Sequence, residues 1–139
     1  MKAGTSPSIA ASPNGGIQVA FQANTGYLWE QTPQTGGINQ GYAMAGGTSP
    51  SITALAAGGY ETAIQANTGL LWEVGSYINF NTRLGMRSGT SPSITAVPGI
   101  VLEVAFQANT GVLWTQDLAH GGISRGVGME ANTSPAIAN

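Results

Sequence analysis

The chain alternates short apolar runs with dense turn signals, and one pattern of positions returns three times. Residues 17–21 read Ile-Gln-Val-Ala-Phe, 60–64 read Tyr-Glu-Thr-Ala-Ile, and 102–106 read Leu-Glu-Val-Ala-Phe. The first, third and fifth positions are mostly large and apolar, the second is polar, and the fourth is always Ala. A period of two puts one face of such a run in a packed layer, while Ala permits close approach on the other. Further short runs lie at 8–11, 27–30 and 41–44, separated by Ser12-Pro13-Asn14-Gly15-Gly16 and Asn24-Thr25-Gly26. Runs bounded by Gly, Asn and Pro read as strands, about four per copy, and no stretch carries a capped helical period.

The copies are nearly verbatim. Gly4-Thr5-Ser6-Pro7-Ser8-Ile9 returns from Gly47 and from Gly89, and a truncated fourth version runs Asn132-Thr133-Ser134-Pro135-Ala136-Ile137. Leu28-Trp29, Leu71-Trp72 and Leu113-Trp114 keep step, at spacings of 43 and then 42 residues. The division is one domain of three repeats, 4–46, 47–88 and 89–131, with a partial fourth strand at 132–139. Four short strands in a period of this length predict an all-β propeller with three four-stranded blades. Three blades leave open edges, so two chains are expected to close a six-bladed homodimer. The rival is a β-trefoil monomer, which also has three repeats and needs no partner.

Several segments carry a resemblance. Leu84-Gly85-Met86, Ser91-Pro92-Ser93-Ile94, Leu102-Glu103-Val104-Ala105-Phe106 and Asn109-Thr110-Gly111-Val112-Leu113-Trp114 resemble a blade of the bacterial repeat lectins that form β-propellers. The Asn-Thr-Gly-x-Leu-Trp segment is similar to the Asp-box hairpin of sialidase propellers, with Asn in place of Asp. The whole repeat resembles tandem modules of actinobacterial secreted proteins and a three-repeat haemagglutinin type that recognises galactose or rhamnose. The resemblance implies a non-enzymatic, multivalent lectin for terminal sugars on cell-surface glycans. The alternative is a non-catalytic structural or protein-interaction module built on the same repeat.

Charge narrows the choice. Four Lys and Arg stand against six Asp and Glu, for a net charge of −2. That balance argues against nucleic acid, which needs clustered bases. No apolar run approaches the roughly 18 residues of a membrane span, so membrane insertion is not expected. Met1-Lys2 leads into no signal-peptide stretch, and the expectation is a secreted or extracellular protein whose chain carries no such signal. There is no Cys and one His, His120, so neither a repeated metal site nor a His-activated nucleophile has a basis, and no cofactor is expected.

The candidate sugar contacts are repeated aromatics and amides. Trp29-Glu30 and Trp72-Glu73 set an aromatic plate beside a carboxylate, and Trp114 is followed by Thr115 instead. Adjacent strand residues face opposite ways. The competing reading therefore has Trp packing between blades while Glu meets water. Gln22, Gln65 and Gln107 either brace a strand end or reach a ligand. Asn24, Asn67 and Asn109 are read as turn holders. Length and side chains vary most after each Trp, at 31–40, 74–82 and 116–125, as in loops that carry recognition. Asn39, Tyr42, Tyr77 and Asn81 are the candidates there. Met44, Met86 and Met129 are assigned to the core.

Overall fold

The computed structural model describes residues 1–99 and 101–138, so Ile100 of the third turn and Asn139 of the fourth copy lie outside the described residues. Among the described residues twelve strands follow in chain order. The first copy holds β1 (Ser8–Ala11), β2 (Ile17–Gln22), β3 (Tyr27–Gln31) and β4 (Ile38–Ala43). The second holds β5 (Ser51–Ala54), β6 (Tyr60–Gln65), β7 (Leu70–Gly75) and β8 (Asn79–Gly85). The third holds β9 (Ser93–Val97), β10 (Val101–Gln107), β11 (Val112–Asp117) and β12 (Gly121–Gly128).

Each copy forms its own four-stranded antiparallel meander, in the orders β1-β2-β3-β4, β5-β6-β7-β8 and β9-β10-β11-β12. These are blades. A trefoil would divide each repeat between a barrel and a cap, so the rival architecture is overturned by the unbroken sheet in every copy. β1, β5 and β9 lie side by side as the inner strands. They are stitched by serines: Ser6 N–H donates to Ser49 Oγ and Ser49 N–H to Ser91 Oγ, each at 2.9 Å.

The seams between blades hold the core. Ala20, Leu28, Met44, Ile52, Ile64 and Val74 pack between the first and second blades. Leu71, Met86, Ile94, Leu102, Val104 and Phe106 belong to the cluster between the second and third. Burying one such side chain contributes about 1.5–3 kcal/mol, so two apolar seams fix the blade stacking without disulfides. Met44 and Met86 lie in these clusters, as assigned, whereas Met129 is only half-buried and belongs to neither.

The outer strand of the first blade starts earlier than the turn signals predict, at Ile38 in place of Gly41. A bulge explains this. The ladder pairs Tyr27 with Ala43 but Trp29 with Asn39, so the outer strand takes two extra residues there. The same slip recurs at Leu70/Trp72 and Val112/Trp114. Gly41, Arg83 and Gly126 sit in the slip with φ of 82°, 61° and 69°. The turn-like Gly marks a bulge inside a strand.

Candidate functional site

The Asn candidates hold that bulge. Asn39 Oδ1 accepts the Gly41 N–H, and Asn81 Oδ1 accepts the Arg83 N–H, both at 2.9 Å. Ser124 does the same for Gly126. Each cap residue lies directly across the ladder from its Trp: Trp29 from Asn39, Trp72 from Asn81, Trp114 from Ser124.

Of the two roles read for Gln22, Gln65 and Gln107, the seam geometry fits the brace. All three are completely or almost completely buried. Their Nε2 groups donate to the Ala45, Arg87 and Glu130 carbonyls, at 3.1, 3.1 and 3.3 Å, in the segment that leads toward the next copy. A side chain sealed inside a seam does not reach a soluble glycan.

Trp and Glu of one copy do not share a pocket. Trp72 faces back toward the first blade, where its ring meets Tyr42 at 5.6 Å and 54°. Glu30 faces forward and accepts the Thr62 hydroxyl of the second blade at 2.8 Å. Each seam thus combines the Trp of one blade with the position of Glu from the blade before. Around Trp72 and Tyr42 a pocket of about 210 Å³ also takes in Asn67, Thr68 and Asn81. Its counterpart around Trp114 shrinks to about 80 Å³. There Leu84 stands in place of Tyr42, and Phe106, against Trp114 at 6.4 Å, in place of Ile64. The two pockets are therefore unlike in size. Among the described residues no blade precedes that of Trp29, and its indole packs against Gly37, where an added Cβ would lie 2.9 Å from Cε3.

The variable segments form the larger clefts at the other end of the seams. In the second seam, 74–82 and 116–125 meet across a cleft of about 660 Å³ lined by Tyr77, Phe80, Thr82, Gln116, Asp117 and Gly122. That volume falls in the range typical of small-molecule sites. Tyr77 is 54% exposed, and Phe80 is exposed beside it. The first seam has a smaller cleft of about 280 Å³ with Gln18, Glu30, Gln40, Tyr60, Ser76 and Asn79. Tyr42 Oη donates to Asn79 Oδ1 at 3.0 Å, so Tyr42 links the two ends of this seam. Phe80, Gln116 and Asp117 were missed by sequence reasoning, although they lie in its variable segments.

Electrostatics differ from seam to seam. Burial pushes the Asp117 carboxyl up, but the His120 ring and the His120 and Ala119 N–H groups outweigh it and hold it below the ordinary value. It is an anchored carboxylate at the cleft wall. Burial raises Glu30, partly offset by hydrogen bonds from Thr62 and Gln18. Burial pushes Glu61 up to about 7 despite N–H groups of Tyr77 and Ile78 on its Oε2, and the Glu30 charge adds to the rise. Glu73 also reaches about 7, through burial first and the Glu61 charge second. In the third copy Thr115 replaces this acid, and Arg125 bridges Thr115 and Glu103. Among the described residues no group of three His, Asp or Glu side chains is arranged to hold a metal ion. No helix of the described residues is long and apolar enough to cross a membrane.

No family model matches the chain, and a search of curated proteins returns no match. Solved structures do match. A fucose lectin from Kordia zhangzhouensis, in complex with methyl-fucoside, superposes with TM-score 0.62 at 10% identity, covering 88% of this chain and 99% of that one. A mutant of the Aleuria aurantia lectin AAL, in complex with Fucα1-6GlcNAc, superposes with TM-score 0.67 at 15% identity, covering 94% of this chain. The chain spans 47% of the length of that lectin. At such identities the likeness defines the fold. It is the all-β propeller architecture, with each repeat forming one blade.

Proposed function

We propose that the protein is a carbohydrate-binding lectin whose principal site is the cleft at the second seam. One observation carries this reading. The two variable segments, 74–82 and 116–125, converge to present exposed aromatic rings, Tyr77 and Phe80, beside a fixed carboxylate, Asp117. A sugar has an apolar C–H face and hydroxyl edges. The rings offer a surface for the face, and Asp117 offers acceptors for the edge. Ile78 and Leu118 add an apolar wall. That wall suits a 6-deoxy sugar such as fucose or rhamnose, and the sugars in the two structural neighbours make fucose the first to test. The pocket at Trp72, Tyr42, Asn67 and Asn81 is assigned as a second, weaker subsite, and the one at Trp114 as closed.

Ring closure supplies valency. Ile9 is 62% exposed, whereas its equivalents Ile52 and Ile94 are 6% and 5% exposed beneath a neighbouring blade. The open face of the first blade carries an apolar groove of about 470 Å³ lined by Pro7, Ile17, Val19 and Phe21. At the other end of the chain, Val127 of β12 is 58% exposed. These faces are the two halves of the contact made twice within the chain, so a second copy suits both and gives six blades. The 47% share of the Aleuria lectin chain fits a half-ring. Linked sites then raise avidity on a glycan-bearing surface, by roughly 100-fold or more. The test is calorimetric titration with methyl fucoside, methyl rhamnoside and methyl galactoside. Saturable binding lost in Tyr77→Ala and Asp117→Ala supports the site. Binding unaffected by both moves it elsewhere, and no binding to any sugar removes the lectin reading.

A further inference from the structure

The inner edge of the third blade is already occupied, and by the chain itself. Residues 132–138 run beside β9 and repeat the stitching seen between blades. Ser91 N–H donates to Ser134 Oγ at 2.9 Å, as Ser49 N–H does to Ser91 Oγ. Ile137 N–H donates to Ser93 Oγ at 3.1 Å, as Ile94 N–H does to Ser51 Oγ. Asn132, with φ of 62°, takes the left-handed conformation that Gly4, Gly47 and Gly89 take in the other copies. The segment stands where the inner strand of a following blade belongs.

A second copy arriving at this edge brings β1 of its own first blade to the same place. We infer that the inner edge of β9 is a docking site for β1 of a second copy, and that residues 132–138 are an internal competitor for it. The inference rests on the ring closure proposed above. The incoming strand reproduces both bonds, with Ser6 in the place of Ser134 and Ile9 in the place of Ile137. One residue decides which strand remains. Ser8 Oγ accepts the Ile52 N–H at 3.2 Å, and Ser51 and Ser93 serve Ile94 and Ile137 in the same way. The fourth copy has Ala136 there and offers no acceptor to the blade beyond. β1 is also committed to β2 through four paired residues, Ser8 to Ala11, while 132–138 joins no sheet among the described residues. Docking therefore expels 132–138 and retains β1. Ile9 is buried in the exchange and the half-buried Ile137 is released.

Sedimentation equilibrium on the full chain, on a chain ending at Ala131, and on full-length Ile137→Asp tests the competition. Circular dichroism checks that each is folded. Removing or weakening the competitor is expected to tighten the dimer dissociation constant by about tenfold or more. Ile137→Asp decides the matter if the shortened chain does not fold. An unchanged constant overturns the competitor and leaves ring closure standing. A weaker dimer overturns it too, and makes 132–138 a clasp. Monomer at every concentration in all three chains overturns ring closure together with the inference.

Discussion

The Thr62 hydroxyl of the second blade donates to Glu30 Oε1 of the first, at 2.8 Å, across a seam otherwise filled by Leu28, Ile52 and Ile64. A buried carboxyl is costly unless its oxygens are satisfied. Thr62 and Gln18 together supply one donor to each Glu30 oxygen. Thr62→Val keeps the shape and removes the donor. Chemical denaturation is expected to show a loss of about 1–3 kcal/mol. No loss would mean that Glu30 is already neutral and satisfied without Thr62.

The pH dependence has a definite sign. Glu61 and Glu73 titrate near 7 in the folded chain, against an ordinary value of 4.5. Their folded forms hold protons that the unfolded chain has lost between these values, so stability falls as pH rises from about 4.5 to about 7 and then levels. Thermal melts across that range are expected to drop by several degrees. Glu73→Gln should flatten the slope. A melting temperature that rises with pH over this window would contradict the burial of both acids.

Gly75 tests the tightness of the second blade. A Cβ there would fall 2.3 Å from the Tyr60 carbonyl oxygen and 2.8 Å from Glu61 Oε2. Gly75→Ala must push two strands apart, and a loss of more than about 2 kcal/mol is expected. Gly26→Ala, at φ 87° but with open space around it, is expected to cost only about 1 kcal/mol. Gly75 lies outside the left-handed region, so a cost no larger than that of Gly26→Ala would show that Tyr60 and Glu61 give way to the added methyl.

The four strands per copy and the Trp positions are visible in the sequence because turn residues and period-two runs are local signals. The job of each polar side chain is not. Gln22 looks the same whether it braces Ala45 or meets a sugar, and only the seam geometry separates the two. Asn39 and Asn81 read as loop amides, yet the bulge at Gly41 and Arg83 makes them caps. The unequal pockets turn on Leu84 for Tyr42 and Phe106 for Ile64, exchanges between residues that share an apolar role in the pattern. Phe80 and Asp117 carry no signal in the sequence because neither side chain is repeated from copy to copy. The segments containing them were legible as the variable part of the chain.

Site variants separate recognition from folding. Tyr77 and Phe80 are exposed, so Tyr77→Ala and Phe80→Ala are expected to change the melting temperature little. Loss of a stacking ring should weaken sugar binding by about tenfold, equivalent to about 1.4 kcal/mol. Gln107→Ala is expected to do the reverse, lowering stability by removing the brace to Met129 and Glu130. Surface plasmon resonance on an immobilised glycan, paired with thermal melts, reads both effects.

The most direct test is a glycan array probed with the purified protein and with its Tyr77→Ala/Asp117→Ala double variant, with free sugar as competitor. The account predicts competable binding to a coherent set of terminal sugars, with 6-deoxy sugars foremost, and its loss in the folded double variant. A blank array from folded wild-type protein, or equal binding by the two proteins, would contradict it.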